Sequence, residues 1–261
     1  MYPVIDLGFT TIESFEVARA IMVAVALGVF VSEWKRKFGV TFQVVALGIG
    51  TFVVAITAGK AGSIAWHSFR PTVLQSIFGV SPFWVQEASG WLFAGVLCCL
   101  FVLVMFLRGT GQSVATGLDA FAPSLAIAQV IYRIGCFLAG DGCYGGTTEL
   151  PWGISFPDGT APVSVPVHPT MLYDAVLMLG VFGILWRFRR DLPSGASIAL
   201  FLTLASVVCF FVQFYMLNTK LIAGLTEPQV WSLLVGPVAA VVFAVRLRTG
   251  AINTWLAASL P

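Results

Sequence analysis

Between Tyr132 and Gly145 the chain reads YRIGCFLAGDGCYG, which sets Arg133, Cys136, Asp141 and Cys143 among four glycines at the end of an apolar segment. Arginine presents a planar fork of donors matched to a phosphate or carboxylate. A charge at the edge of a membrane span is costly and marks a ligand pathway or a functional pair. Arg133 is therefore a candidate for binding a phosphate or carboxylate, with a structural ion pair to Asp141 or Glu87, or snorkelling to the outer interface, as the alternative. Three readings stay open for Cys136 and Cys143, which flank a glycine-rich turn at 140–142. They can form a disulfide in an oxidising compartment, one can be a nucleophile whose pKa Arg133 and His168 lower, or both can simply pack. His168 is a candidate base just before Pro169, with helix capping as its structural alternative. The chain has only two histidines, His67 and His168, so a metal centre is not expected. No phosphate-binding glycine loop with its lysine, no paired CxxC and no GxSxG turn occurs.

The elements that must position these residues are membrane helices. The chain is 58% hydrophobic and 10% charged, with a mean hydropathy of +0.93, against roughly 25% charged residues in an ordinary soluble domain. About 20 apolar residues cross a hydrocarbon core, and seven stretches suffice: 15–34, 41–59, 88–107, 117–139, 169–187, 196–216 and 228–246. None has the alternating ten-residue units of a membrane barrel. The reading is an all-α integral membrane protein of seven transmembrane helices in one domain, residues 1–261.

Basic residues orient the bundle, because Lys and Arg in short loops stay on the cytoplasmic side. Nine of 14 follow spans one, three, five and seven: Lys35, Arg36, Lys37, Arg108, Arg187, Arg189, Arg190, Arg246 and Arg248. The N-terminus is therefore expected outside and the C-terminus in the cytoplasm. The acidic start MYPVIDLGFTTIESFE lacks the basic region of a cleavable signal, so span one reads as a retained helix. The net charge of +2 follows from this topology and gives no sign of nucleic-acid binding. Two long outer loops, about 60–87 and 140–168, are expected to build a small extracytoplasmic cap over a polar cavity. The first mixes aromatic residues with His67 and Arg70; the second is rich in Gly and Pro.

The stretch from Arg133 to Asp141 resembles the glycine-rich signature of prolipoprotein diacylglyceryl transferases, G-R-I-G-N-F-x-N-G-E or a cysteine-containing variant. The segment VHPTMLYDA is similar to the family's H-P-T-Q-L-Y-E through His168, Pro169, Thr170, Leu172, Tyr173 and Asp174. SGWLFAGV and TEPQVWSLLVG resemble its third and last helices more weakly, and seven outward-starting helices agree with its architecture. The resemblance implies a bacterial inner-membrane transferase, multi-pass, with its active site facing the periplasm. Its donor would be phosphatidylglycerol or a related phospholipid, and its acceptor a thiol, by default the lipobox cysteine of a prolipoprotein. No metal or cofactor is implied.

On the same basis Arg133 matches the headgroup-binding arginine, Asp141 the acidic position, and Gly145 lies near a functional glycine. Gly135, Gly140 and Tyr173 belong to the matched motifs, and Arg19 or Lys220 is the candidate substitute for a missing second cation, with a structural pair of Arg19 to Glu16 or Glu87 as the alternative. The expected catalytic set is Arg133, Asp141, His168, Cys136 and Cys143. The expected substrate-binding set is Arg133, Gly135, Gly140, Gly145, Tyr173 and Arg19. Cys209, Gln213 and Met216 stand where the family's sixth helix carries Arg, Glu and Arg, and Ala94 where its third helix carries His or Tyr. These departures leave open a paralogue with another thiol, amine or hydroxyl acceptor, a lipid-binding or transport protein, and a thiol-redox protein.

Overall fold

A computed structural model describes residues 4–6, 11–39 and 111–259, with isolated positions 104, 108 and 109. The expected spans at 41–59 and 88–107 and the outer loop 60–87 lie outside these residues, apart from position 104. The chain divides into two compact units, residues 1–33 with 118–261, and residues 34–117. In the second unit the rings of Trp34 and Phe38 pack 4.6 Å apart.

The described helices are α1 (Ser14–Phe38), α2 (Val114–Ala139), α3 (Thr170–Phe188), α4 (Ala196–Val212) and α5 (Glu227–Ser259). Four of them, counting residues 227–250 of α5, are long and apolar enough to cross a membrane. This is the pattern of a membrane-embedded protein, and large apolar side chains such as Val176, Val238 and Val241 lie exposed on its helices. α1 carries Glu16 in its first turn and Lys35, Arg36 and Lys37 in its last, both favoured by the helix dipole.

α4 is 17 residues long and ends before the expected 216. The reason is local: Phe214 N and Tyr215 N bond back three residues to Phe211 and Val212, tightening the chain into a turn. The Tyr215 carbonyl then accepts Gly146 N at 3.0 Å, which draws the backbone into the outer loop.

α2, α3 and α4 share a core of Ala122, Ala126, Val130, Ala175, Met178, Val181, Leu185, Val208 and Val212. On α2 the three members recur every four residues, so one stripe of small side chains lets α3 and α4 approach. At the opposite end of that interface Asp119 of α2 accepts Gly195 N at 2.7 Å and Ile198 N at 3.0 Å. A carboxylate from one helix thus caps the first turn of another.

Three short hairpins depart from the all-α expectation. They are β1 (Val4–Asp6) with β2 (Thr11–Glu13), β3 (Ile154–Phe156) with β4 (Val163–Val167), and β5 (Lys220–Ile222) with β6 (Leu225–Thr226), all antiparallel. Ala223 and Gly224 join the last pair with φ of +52° and +76°, the two positive angles that match a tight hairpin turn to strand twist. β3 and β4 give the 140–168 segment a folded form. Ile154 faces Val167, and Phe156 faces Val163. A second core forms beneath them from Cys136, Phe156, Val167 and Met171, with Tyr132, Phe137 and Tyr144 packed around it.

Candidate functional site

The candidate site begins where α2 stops. Gly140 takes a φ of +61°, a left-handed turn that ends a helix most cheaply at glycine. Gly140 N and Asp141 N both bond to the Cys136 carbonyl, at 2.9 and 3.4 Å. The loop between β3 and β4 satisfies the next carbonyls, with Thr160 N on Ala139 O and Ala161 N on Gly140 O, each at 2.9 Å. A side chain at Gly159 would collide with the Gly140 carbonyl, which fixes how closely that loop caps the helix.

The turn then reverses at Gly142, φ +89°, and Asp141 Oδ1 accepts Cys143 N at 3.1 Å. Its effect is to bring Cys136 Sγ, Cys143 Sγ and an Asp141 carboxylate oxygen within 4.8 Å of one another. Both cysteines are free thiols, Cys136 fully buried and Cys143 partly so. Thr170 Oγ1 donates to the Cys143 carbonyl at 2.6 Å and ties the turn to the start of α3.

Residues 145–148 run on beside β4. Gly145 N bonds His168 O at 2.8 Å, His168 N bonds Gly146 O at 3.0 Å, and Thr148 N bonds Pro166 O at 3.0 Å. A Cβ on Gly145 would collide with the Tyr215 carbonyl and stand 3.0 Å from His168 Cβ and from Thr170 Cγ2. Only glycine admits this crossing of three backbone segments.

His168 does not cap α3. Its Nδ1 lies 3.2 Å from the Tyr173 hydroxyl, which also accepts Trp152 Nε1–H at 2.8 Å. Tyr215 closes the group, its ring 5.1 Å from His168 and 5.9 Å from Tyr173. These residues, with Leu177 and Phe211, line a mainly apolar cavity of about 370 Å³. That volume is at the small end of ligand sites, which span about 300–1,000 Å³, and the lining suits a hydrocarbon chain with a polar group at one end.

Arg133 pairs with Asp174 of α3 rather than with Asp141, its Nε meeting Asp174 Oδ2. Gln129, one turn earlier on α2, donates to the same oxygen at 3.3 Å. The helix of α3 begins at Thr170, so Asp174 lies beyond its first turn and answers the arginine instead of the dipole. The Arg133 side chain is 16% exposed. Among the described residues, no other hydrogen bond or ion pair engages its two terminal amino groups. They keep donors for an oxyanion.

The expected residues fall into three neighbouring groups. Cys136, Asp141 and Cys143 converge on one turn; His168 and Tyr173 share a hydrogen bond, with Gly145 bonded to His168; Arg133 meets Asp174, the residue after Tyr173. Arg19 stands apart, paired at 3.0 Å with Glu16 and lying over the Phe15 ring. Gly135 makes room for α1, since a Cβ there would stand 2.8 Å from Ala18 Cβ. Sequence reasoning missed Gln129, Trp152 and Tyr215. Gln129 was findable, four residues before Arg133 on one helix face; Trp152 and Tyr215 arrive through loop geometry that no spacing announces. Ala94, His67 and Glu87 lie outside the described residues.

A family model described as prolipoprotein diacylglyceryl transferase matches residues 3–245. The chain is similar to phosphatidylglycerol--prolipoprotein diacylglyceryl transferase 2 of Clostridium perfringens, 39% identical over 37% of this chain and 38% of that one. It is also similar to the proteins named phosphatidylglycerol--prolipoprotein diacylglyceryl transferase of Azotobacter vinelandii, 32% identical over 71% of this chain and 66% of that one, and of Gloeobacter violaceus, 29% identical over 68% and 66%. The chain thus spans less than two thirds of the length of each of these relatives.

Proposed function

The chain belongs to the prolipoprotein diacylglyceryl transferase family, and from that premise we propose that it moves the diacylglyceryl group of phosphatidylglycerol onto the lipobox cysteine of a prolipoprotein. The names of its relatives supply the two substrates. The observation that carries the reading is Arg133, a mostly buried cation whose Nε is bound to Asp174 and whose terminal amino groups have no partner among the described residues.

The acceptor sulfur attacks the glyceryl carbon, a C–S bond forms, the C–O bond to phosphate breaks, and glycerol 1-phosphate departs. Arg133 holds the phosphodiester and gains most when charge collects on the leaving oxygens. His168 takes the thiol proton on Nε2, in the tautomer whose Nδ1–H is donated to the Tyr173 hydroxyl. The apolar cavity beside Tyr173 and Phe211 receives part of the diacylglyceryl group. Gly140 and Gly145 keep backbone close to the bound lipid, Gly135 sets the approach of α1, and Arg19 serves as a peripheral cation.

The same proposal includes seven spans in one membrane domain, the N-terminus outside, the C-terminus in the cytoplasm, and a site on the periplasmic side of the inner membrane. The distribution of basic residues supports that orientation. Complementation of a strain depleted of its own diacylglyceryl transferase tests the activity, with mass spectrometry of its lipoproteins. Rescue with a diacylglyceryl adduct on the lipobox cysteine is expected from the wild-type chain, and no rescue from Arg133→Ala. A wild-type chain that fails to rescue while producing another lipid adduct would move the acceptor, and full rescue by Arg133→Ala would remove the role given to the arginine.

A further inference from the structure

Outside the transfer chemistry, one cluster has a composition that neither a headgroup nor an acyl chain needs. Cys136 Sγ, Cys143 Sγ and an Asp141 oxygen approach one another within 4.8 Å. We propose that these three residues bind a thiophilic divalent cation of the Zn²⁺ class.

Four-coordinate zinc has Zn–S bonds of about 2.3 Å and Zn–O bonds of about 2.1 Å, so its donors stand roughly 3.5–3.8 Å apart. Closing from 4.8 Å or less requires side-chain rotation of about an ångström, with no backbone movement. Two thiolates select zinc over the oxygen-seeking cations Mg²⁺ and Ca²⁺. The expectation of no metal rested on the scarcity of histidine, and this donor set contains none.

The ligands are held in place before any ion arrives. Cys136 is fully buried in the last turn of α2, against Phe156 and Met171. The turn carrying Asp141 and Cys143 is anchored by Thr170 Oγ1 on the Cys143 carbonyl. Its two left-handed glycines, Gly140 and Gly142, set its shape. Three protein ligands leave a fourth position for water or an external thiol, the coordination of a site that exchanges ligands. Binding releases the thiol protons, so it strengthens as pH rises.

The test uses the full chain in detergent, purified without a polyhistidine tag, reduced and with its thiols counted. Titration with Co²⁺ is expected to give one saturating equivalent, read by sulfur-to-cobalt charge-transfer absorption and tetrahedral d–d bands, and reversed by Zn²⁺. Cys136→Ser and Cys143→Ser should each abolish saturation, and Asp141→Asn should weaken it by about tenfold or more. Cys209→Ser should leave it unchanged. A second readout needs no variant: Zn²⁺ should slow alkylation of the partly exposed Cys143, but not of Cys209, followed by peptide mass spectrometry. Reduced wild-type protein without a saturable band, saturation that survives loss of both cysteines, or alkylation indifferent to Zn²⁺ would each overturn the site.

Discussion

Two helix pairs solve the problem of buried polarity in opposite ways. Where α2 meets α3, Arg133 and Asp174 form a charged pair with Gln129 as an auxiliary donor. Where α4 meets α5, Gln213, Thr226 and Gln229 are buried and uncharged. There Thr226 N and Oγ1 donate to Gln229 Oε1, Asn218 Nδ2 donates to Gln213 Oε1 at 2.6 Å, and Gln229 Nε2 donates to the Phe210 carbonyl at 3.2 Å. The amide cluster spends its hydrogen bonds on itself. The charged pair does not, since a guanidinium has five donors and Asp174 takes one. Functional capacity belongs with the region that keeps donors in reserve, and the amide cluster acts as a neutral clasp between α4 and α5.

The widest separation between the two regions is expected from Arg133→Ala. Removing an electrostatic stabiliser of the leaving phosphate should lower the rate of transfer by about 10²–10³-fold. The same change strands Asp174 without its cation and should cost about 3–5 kcal/mol of stability. A transfer assay with purified protein and thermal unfolding in detergent measure the two effects separately. Arg133→Lys restores charge without the fork and should recover stability more than rate.

Gly145→Ala is the next largest, because the new methyl would meet the Tyr215 carbonyl at a junction of three backbone segments. A loss of about 1–3 kcal/mol is expected, together with weakened coupling of His168 to its neighbours. Hydrogen exchange at Gly145, Gly146 and His168 amides reads it directly.

In the neutral region Gln229→Leu removes the acceptor for Thr226 and should cost about 1–3 kcal/mol. The KM for phospholipid in the folded fraction should stay at the wild-type value. A tenfold rise in that KM would show that the amide cluster contacts the donor lipid and would erase the distinction between the regions.

The smallest effect is expected from Tyr173→Phe, which takes one acceptor from Trp152 and one partner from His168. About 1 kcal/mol, equivalent to about a five-fold slower transfer, is expected in the same transfer assay.

What the sequence made legible follows the physics of each element. Long apolar runs and the glycine that stops α2 are written in local composition, and the described helices fall close to the expected spans. Arg133 stood out as a charge at the edge of an apolar run, and His168 and Tyr173 through the matched motif. The partner of Arg133 was misread because Asp141 is eight residues away in the chain, whereas Asp174 becomes adjacent only when α3 packs along the Ala122–Ala126–Val130 stripe. The hairpin over the site was read as irregular loop, since β3 is three residues long and its alternation is too short to register. Trp152 and Tyr215 reach the cavity through that same loop geometry. The early end of α4 is set by the three-residue turn bonds of Phe214 and Tyr215, which an apolar run does not announce.

The central claim is that Arg133 holds the phosphate of the donor lipid while the amide cluster of α4 and α5 does not. The most direct measurement reconstitutes the protein in nanodiscs containing phosphatidylglycerol and follows release of glycerol phosphate with a lipobox peptide as acceptor. Wild-type protein and Gln229→Leu should release it at comparable rates per folded molecule, and Arg133→Ala should fall by at least about 10²-fold. Undiminished release from Arg133→Ala, or an equal loss from both variants, would contradict the account.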